Sequence, residues 1–404
     1  MYVKRETYLE KLIGHKNNKL IKIITGARRV GKSFLLFNIF YDYLISIGVN
    51  KNQIFTFKLD EIKYSQYKDP VKLIDYIESN KLPDLDNYVF IDEVQNCERF
   101  EEMLNYLNFS LDCKVYVTGS NSKMLSYELN TLLRGRTIEI KVFPLSFKEI
   151  YESGTFDKEK LYDDYMLFGG LPELLYYNDN KYKIDYLVSY NKDIIGKDII
   201  ERYNLRTNNH FQKVYEVIMS SIGSLINARK ITNTFISLGY KTVTADTILN
   251  YLRYMIEACL INEAKRYDIK RRKYISFQSK YYSFDVGIRN TSLDFRQIDK
   301  GHILENIVFN ELSKRYRRVD IGINSKKEVD FIVNNDDNKY YIQVCLDLNA
   351  SNSTREIDAF KGIDDGFKKI VITNQNSIYT RNQDGYIFLD IFTFLLDEQA
   401  LEKA

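Results

Sequence analysis

A single loop bounded by two glycines constrains this 404-residue chain more than any other feature. Residues 20–25 form an apolar run, LIKIIT, and the eight residues from Gly26 to Ser33 then read GARRVGKS. Beyond the loop, apolar residues recur at helical spacing. A strand, a glycine-bounded loop and a helix in this order are typical of phosphate-binding loops in α/β folds. We therefore expect the chain to begin with an α/β domain of the P-loop NTPase type.

The residues of this loop have the chemistry that a nucleoside triphosphate requires. Glycines let the backbone N–H groups turn inward, Lys32 can reach the β- and γ-phosphates, and the Ser33 hydroxyl can ligate Mg2+. The amino end of the following helix adds a partial positive charge. We predict ATP and Mg2+ as cofactors. The predicted nucleotide-binding residues are Gly26, Ala27, Arg28, Arg29, Val30, Gly31, Lys32, Ser33 and Phe34.

An acidic pair follows a second predicted strand. Residues 88–91 are apolar or aromatic, and Asp92 and Glu93 come directly after them. At the carboxyl end of such a strand, one carboxylate can join the metal shell and the next can activate the attacking water. We therefore predict that Asp92 and Ser33 hold Mg2+, and that Glu93 and Lys32 are catalytic.

A third predicted strand, residues 114–117, ends in the polar sequence TGSN. Short polar side chains at this edge of an open α/β sheet can orient a water molecule or contact the γ-phosphate. Asn121 is therefore a further catalytic candidate. The alternative is a simple turn built from Gly, Ser and Asn.

Two arginines precede a strand-like stretch at residues 137–142. An arginine from a neighbouring subunit can neutralise the charge that develops on a transferred phosphoryl group. Arg136 is the first candidate for this role and Arg134 the second, and either one would require a homo-oligomer. The alternative is a pair of solvated arginines.

Several motifs together resemble a known family. GARRVGKS, VFIDEVQN, VTGSNSKML, LLRGRTIEIKVFPLSF and YMLFGGLPE are similar to the motifs of prokaryotic AAA-type P-loop ATPases that carry a C-terminal DUF4143 region. The motifs cover residues 20–175, and a looser likeness continues to about residue 350. The resemblance implies an ATPase core of the additional-strand class. In that class, the strand that ends at Thr118 lies between the loop strand and the Asp92 strand.

The length of the chain predicts more than one domain. Between the predicted helices that follow residue 155, Gly169 and Gly170 favour a turn, although they would also permit close approach to the nucleotide domain. The expected segments are a P-loop ATPase domain at 1–155, a helical lid or linker at 156–205, a winged helix-turn-helix at 206–285, and a restriction-endonuclease-like domain at 286–404.

Three short helices and two strands between residues 211 and 277 have the layout of a winged helix. Residues 265–274 read KRYDIKRRKY, and six basic and two aromatic side chains suit a wing that contacts phosphates. Asn250 and Arg253 are candidate base contacts on the third helix, although the nearby Glu257 disfavours sequence-specific reading. We predict DNA as a partner of residues 245–274. A solvated hairpin and a protein-binding module remain alternatives.

After residue 285 the predicted order αβββαβ resembles the restriction-endonuclease-like fold, in which carboxylates and a lysine hold Mg2+ and activate water. Glu305 and Asp330 stand at the first two acidic positions. The remaining positions carry Gln343 and Cys345. An amide is a poorer ligand for a hard cation than a carboxylate, and a thiol lacks the positive charge of lysine. We therefore expect an inactive nuclease-like domain.

Composition excludes several other classes. A formal net charge of +3 is too small to indicate a nucleic-acid partner without local clusters. Four scattered cysteines and three histidines give no zinc or disulfide framework. The sequence shows neither a membrane-spanning apolar segment nor an N-terminal signal, so we expect a cytoplasmic protein without a membrane partner.

Together these features predict an ATP-binding and ATP-hydrolysing enzyme associated with DNA through a winged helix. Two alternatives stay open. One is an ATP-regulated, metal-dependent nuclease. The other is a scaffold or signalling NTPase whose C-terminal modules bind protein.

Overall fold

The computed structural model describes residues 3–119, 135–205, 208–240, 242–296, 299–335, 337–347, 353–374, 380–381 and 385–404. The chain forms two compact units. The first contains Met1–Pro144 with Glu257–Cys259, and the second contains Leu145–Ile256 with Leu260–Ala404. Apart from residues 257–259, the segments expected at 156–404 all lie within the second unit.

In the described part of the first unit, five parallel strands form one sheet. Their spatial order is β2-β3-β4-β1-β5, so β4 lies between β1 and β3 as the family resemblance implied. Because the strands are parallel, the segments that follow β1, β3 and β4 meet at one edge of the sheet. The strands are β1 (Ile21–Thr25), β2 (Ile54–Lys58), β3 (Tyr88–Asp92), β4 (Lys114–Thr118) and β5 (Thr137–Lys141).

Helices cover both faces of this sheet, which is why β1 and β3 are buried along their whole length. Successive residues of β3 point to opposite faces. Phe90 packs on Phe40, with ring centroids 5.8 Å apart, whereas Val89 and Ile91 belong to a cluster with Met103 on the other face. The α- and π-helical segments of this unit are Glu6–Gly14, the continuous run Lys32–Phe34, Leu35–Phe40 and Tyr41–Ser46, then Pro70–Asn80, Phe100–Asn105 and Tyr106–Ser110.

The second unit begins with helices. Three of them match the helices expected for a winged helix-turn-helix, and buried aromatic rings such as those of Phe211 and Tyr251, 5.2 Å apart, pack between them. The longer helices of this part are Phe147–Tyr151, Lys158–Phe168, Asn180–Asp193, Ile194–Glu201, Asn208–Ser220, Ala228–Ser237 and Ala245–Glu257.

The described strands of the second unit form one mixed sheet in the order β12-β13-β11-β10-β9-β8-β6-β7. β6 and β7 pair as an antiparallel hairpin, and β6 also pairs in parallel with β8. The hairpin expected as a free wing is therefore the edge of the C-terminal sheet. The strands are β6 (Ile261–Asp268), β7 (Lys273–Ser283), β8 (Val319–Asn324), β9 (Lys327–Asn335), β10 (Asn338–Cys345), β11 (Lys368–Thr373), β12 (Thr380–Arg381) and β13 (Ile387–Asp390).

The predicted order αβββαβ is present in this unit. The helix Lys300–Arg315 precedes the antiparallel strands β8, β9 and β10, and the helix Ser353–Asp358 leads to β11, which runs parallel to β10. The helix Val286–Ser292 lies before this series, and the helices Ile391–Leu396 and Ala400–Lys403 follow it.

Gly169 and Gly170, between two helical segments, lie where the backbone packs closely against other residues of the same unit. A Cβ atom at Gly169, where φ is +76°, would lie 2.0 Å from a carboxylate oxygen of Asp285. At Gly170 it would lie 2.1 Å from the Leu145 carbonyl oxygen. The Asp285 carboxylate accepts hydrogen bonds from the backbone N–H groups of Gly170 and Gly287, both at 2.8 Å. Side chains are thus excluded where the backbone approaches Asp285.

We predict that Gly170→Ala lowers the free energy of unfolding by about 1–3 kcal/mol, because the added methyl group must displace a backbone carbonyl. Gly196→Ala is the matched control, since nothing lies within 4 Å of a Cβ atom there. Urea unfolding of both variants measures the difference. Equal midpoints for the two variants would contradict the prediction.

Candidate functional site

The loop after β1 is shaped by left-handed backbone conformations. Gly26 has φ +139°, and a Cβ atom there would lie 2.2 Å from the Val142 carbonyl oxygen. Gly31 has φ +93° and immediately precedes the helical segment that starts at Lys32. Both glycines are therefore required by the backbone itself. Of the other predicted contacts, Ala27 and Val30 are buried, Ser33 and Arg28 are half-buried, and Arg29 and Phe34 are exposed.

Lys32 folds back across the loop. Its side chain is only 5% exposed, and its Nζ donates to the carbonyl oxygens of Gly26, at 3.0 Å, and Ala27, at 2.7 Å. Burial lowers the pKa of Lys32, while the carboxylates of Glu93 and Asp92 oppose this shift. The ammonium group is thus held inside the loop by neutral acceptors, within the field of both predicted acidic residues.

Asp92 joins three elements of the sheet edge. It ends β3 and is 5% exposed, and its Oδ1 accepts a hydrogen bond from Ser33 Oγ at 2.9 Å and another from the Thr118 hydroxyl at the end of β4. Burial raises the pKa of Asp92, and the hydrogen bonds from Thr118 and Ser33 lower it. A carboxylate and a hydroxyl at this distance suit Mg2+, which prefers oxygen ligands. The predicted pair therefore fits the ion.

Glu93 begins a strained turn. It has φ +50°, a left-handed conformation that costs a residue with a side chain on the order of 1–3 kcal/mol. Its backbone N–H donates to Thr118 Oγ1 at 3.2 Å, and Gln95 Nε2 donates to its carboxylate. Thr118 and Gln95 therefore fix the position of Glu93. Neither residue was among the predicted site residues, although Thr118 stood in the TGSN sequence and Gln95 lies two residues after Glu93.

Arg5 is a further residue that sequence reasoning missed. Its buried guanidinium donates to the carbonyl oxygens of Phe143, at 2.7 Å, and Val30, at 3.4 Å, and lies over the Tyr8 ring. It therefore ties the N-terminal helix to the loop. A lone arginine far from the motif gave no signal of this contact.

The structure does not bring Arg136 to this site. Thr137 pairs with Ile21 at the start of β1, and the Arg136 carbonyl accepts from the Ile21 N–H at 2.9 Å. Arg136 therefore lies at the amino edge of the sheet, about 16 Å of strand away from the loop that follows β1. Its guanidinium lies 4.3 Å from the centroid of the Phe109 ring. Asn121 and Arg134 lie outside the described residues.

In the second unit, a cavity of about 440 Å³ brings the predicted nuclease-like positions together. Glu305, Asp330 and Gln343 all line it, from a helix and two strands. Cys345 lies at the end of β10, and burial raises the pKa of its thiol to about 12. Glu328, Glu356 and the buried Lys280 also belong to this group, and no local sequence pattern predicted them.

The residues of this cavity do not fit a divalent metal. Lys280 Nζ lies 3.1 Å from Glu305 Oε1 and 2.7 Å from Glu328 Oε1, so an ammonium already lies among the carboxylates. Among the residues that the structure describes, no group of three or more His, Cys, Asp or Glu side chains is arranged to hold a metal ion.

The basic segment of the β6–β7 hairpin is exposed. The hairpin turn lies beside the β8–β9 turn because Asp268 pairs with Ile323, so Lys326 is close to it along the same sheet edge. Asn250 and Arg253 are also exposed, but Asp246 shares the same helix face. The exposed basic residues of the two turns are Lys270, Arg271, Arg272, Lys273 and Lys326.

Known protein families and relatives match nearly the whole chain. The family described as "AAA domain" matches residues 18–151, a domain of unknown function (DUF8612) matches 159–299, and a domain of unknown function (DUF4143) matches 300–394. An uncharacterized protein of Haemophilus influenzae is 35% identical over 92% of this chain and 94% of its own length. One of Methanocaldococcus jannaschii is 32% identical over 93% and 84%.

Similar solved structures include AMPPCP-bound DnaA from Aquifex aeolicus, 11% identical with a TM-score of 0.30, covering 62% of this chain and 86% of its own. The Orc1 protein of Aeropyrum pernix in complex with DNA is 10% identical with a TM-score of 0.28, covering 73% and 93%. No helix in the described part of the chain has the length and apolarity to cross a membrane.

We predict that Thr118→Val lowers the free energy of unfolding by about 1–3 kcal/mol relative to Thr118→Ser. Valine keeps the shape but removes the hydroxyl that bonds both Asp92 and the Glu93 N–H, so that the Glu93 N–H loses its acceptor and Asp92 loses one of its two donors. Urea unfolding at constant pH measures the effect. Similar stability of the two variants would show that these hydrogen bonds contribute little.

Proposed function

Because this chain belongs to the prokaryotic family in which an AAA-type P-loop domain precedes a DUF4143 region, we propose that it binds ATP with Mg2+ and hydrolyses it. The observation that carries the proposal is the convergence of Lys32, Ser33, Asp92 and Glu93 at one sheet edge, linked by the Ser33–Asp92 hydrogen bond of 2.9 Å. These are the groups that phosphoryl transfer requires.

Lys32 would bind the terminal phosphates. Its Nζ now donates to two neutral carbonyl oxygens of the loop. Hydrogen bonds to charged acceptors are roughly twice as strong as those between neutral groups, so phosphate oxygens compete well for this ammonium. When the nucleotide binds, the Lys32 ammonium would exchange the two carbonyl oxygens for phosphate oxygens and would remain buried.

Ser33 and Asp92 would hold Mg2+, which neutralises charge on the phosphate oxygens when it is bound. Glu93 follows Asp92 directly and would take the proton of the attacking water. Its strained backbone is fixed by Thr118, and its carboxylate receives a hydrogen bond from Gln95. The base is thereby oriented before substrate binds, which lowers the cost of reaching the reactive geometry.

We predict that Lys32→Ala abolishes ATP binding, whereas Glu93→Gln keeps binding and slows hydrolysis by about 100- to 10,000-fold, the usual contribution of a general base. Lys51→Ala is the control, because Lys51 is an exposed lysine of the same unit. Binding of a fluorescent ATP analogue and release of phosphate measure the two steps. Equal ATP affinity of the Lys32 and Lys51 variants would refute the proposed site.

Arg136 is proposed to act on the nucleotide of a neighbouring copy of the chain. It is exposed, and its position at the amino edge of β5 keeps it away from its own loop. An arginine in this position is suited to a role in trans, where it would neutralise charge on the transferred phosphoryl group.

A second proposed function is association with DNA through the basic turns of the C-terminal sheet. Lys270, Lys273 and Lys326 are exposed and form no ion pair with a described residue, so their charge is open to a partner. The Arg318 guanidinium lies 4.1 Å from the centroid of the half-exposed Tyr274 ring and extends this surface. Several basic groups along one edge suit the phosphate backbone, without reading of sequence.

We predict that the triple substitution Arg271→Ala, Arg272→Ala and Lys273→Ala weakens DNA binding and makes it less dependent on salt. Each lost phosphate contact reduces the slope of log K against log salt by about 0.9. A triple alanine variant of the exposed Lys51, Lys68 and Lys72 is the control with the same change of charge. Titration of labelled duplex DNA at several salt concentrations measures both slopes.

Unchanged DNA affinity in the hairpin variant would contradict this second function. It would favour the alternative in which the C-terminal unit contacts protein, because such a surface need not depend on three adjacent basic groups.

A further inference from the structure

The cavity of the second unit combines several acidic side chains with a buried lysine beside them. Glu305, Glu328, Asp330 and Glu356 lie around it, which would ordinarily require a cation to balance their charge. We propose that the ammonium of Lys280 is the resident cation of this cavity and excludes divalent metals from it. The inference concerns the second unit alone and does not rest on ATP binding by the first.

Lys280 is buried and forms ion pairs with two carboxylates. It lies on β7, is 5% exposed, and contacts Glu305 at 3.1 Å and Glu328 at 2.7 Å. A buried ammonium is tolerated only when carboxylates surround it in this way. Burial by itself would lower the pKa of Lys280, but Glu305, Asp330 and Glu328 raise it above its ordinary value. The lysine therefore remains charged and lies between the carboxylates of Glu305 and Glu328.

One carboxylate oxygen of Glu305 has little capacity left for a metal. The oxygen that contacts Lys280, Oε1, also accepts a hydrogen bond from the hydroxyl of the buried Tyr282 at 2.6 Å. Two donors on one carboxylate oxygen fill the lone pairs through which that oxygen would bind a cation. Lys280 and Tyr282 both come from β7, so one strand supplies both of these donors.

The side-chain amide of Gln343 is not oriented to bind a cation. Its Oε1, the atom with which an amide binds a cation, accepts from the Asp330 backbone N–H at 2.7 Å. Its Nε2 donates to Glu356 Oε2 at 2.8 Å. The amide therefore provides a donor where a carboxylate would provide an acceptor, and it engages a further acidic residue of the cavity.

One carboxylate oxygen of Asp330 is also engaged by a hydrogen bond. Its Oδ2 accepts from the Val344 N–H at 2.9 Å. At each of the three positions of the nuclease-like pattern one side-chain oxygen is thus engaged, by lysine and tyrosine donors at Glu305 and by backbone donors at Asp330 and Gln343.

The test is titration of the full chain with Mn2+ in the absence of nucleotide, followed by calorimetry. The wild-type chain should show no Mn2+ binding that depends on Asp330. Lys280→Met removes the charge but keeps much of the volume, and it should bind Mn2+ at least about tenfold more tightly than the wild type, because an unbalanced carboxylate cluster attracts a cation strongly. The double variant with Asp330→Asn should lose this gain.

Two controls sharpen the result. Lys280→Arg keeps the charge and should bind no Mn2+, and Lys326→Met removes a lysine from an exposed turn and should behave as the wild type. Wild-type Mn2+ binding that Asp330→Asn abolishes would overturn the proposal, since Lys280 would then work beside a metal. A folded Lys280→Met chain that binds no more Mn2+ than the wild type would overturn it too.

If Lys280→Met is too unstable to purify, the wild-type titration still decides. Binding abolished by Asp330→Asn overturns the proposal, and the lack of such binding supports it.

Discussion

The hydrogen bonds that converge on the Asp92 carboxylate hold the proposed nucleotide site together. Ser33 comes from the start of the helix after the loop, Thr118 ends β4, and Asp92 itself ends β3. One buried carboxylate therefore joins three elements that are far apart in the sequence. The backbone of Glu93 depends on the same arrangement, because its N–H donates to Thr118.

The two buried lysines illustrate how the same side chain supports different tasks. Lys32 is bonded to neutral carbonyl oxygens, so charged phosphate oxygens would be better acceptors for it. Lys280 is bonded to two carboxylates and has no comparable gain to make from a ligand. The first arrangement suits a binding site, whereas the second suits a permanent part of the protein interior.

Sequence could predict the loop from Gly26 to Ser33 and the acidic pair because their signals are local, and because parallel strands bring their carboxyl ends to one edge. It could not predict Lys280, which lies on a strand far from Gln343 in the chain and reaches the cavity only through the fold. The place of the β6–β7 hairpin could not be predicted for a similar reason. Its local pattern suits a free wing, whereas its membership of the C-terminal sheet depends on long-range pairing between β6 and β8.

The place of Arg136 at the amino edge of β5 has a consequence for assembly. An arginine that serves another copy from this edge must face the opposite, carboxyl edge of the neighbouring sheet. Two different surfaces would then meet, and a head-to-tail association of subunits would satisfy this contact. Repetition of such a contact gives a closed ring when the rotation between subunits divides a full circle, and an open helical filament when it does not.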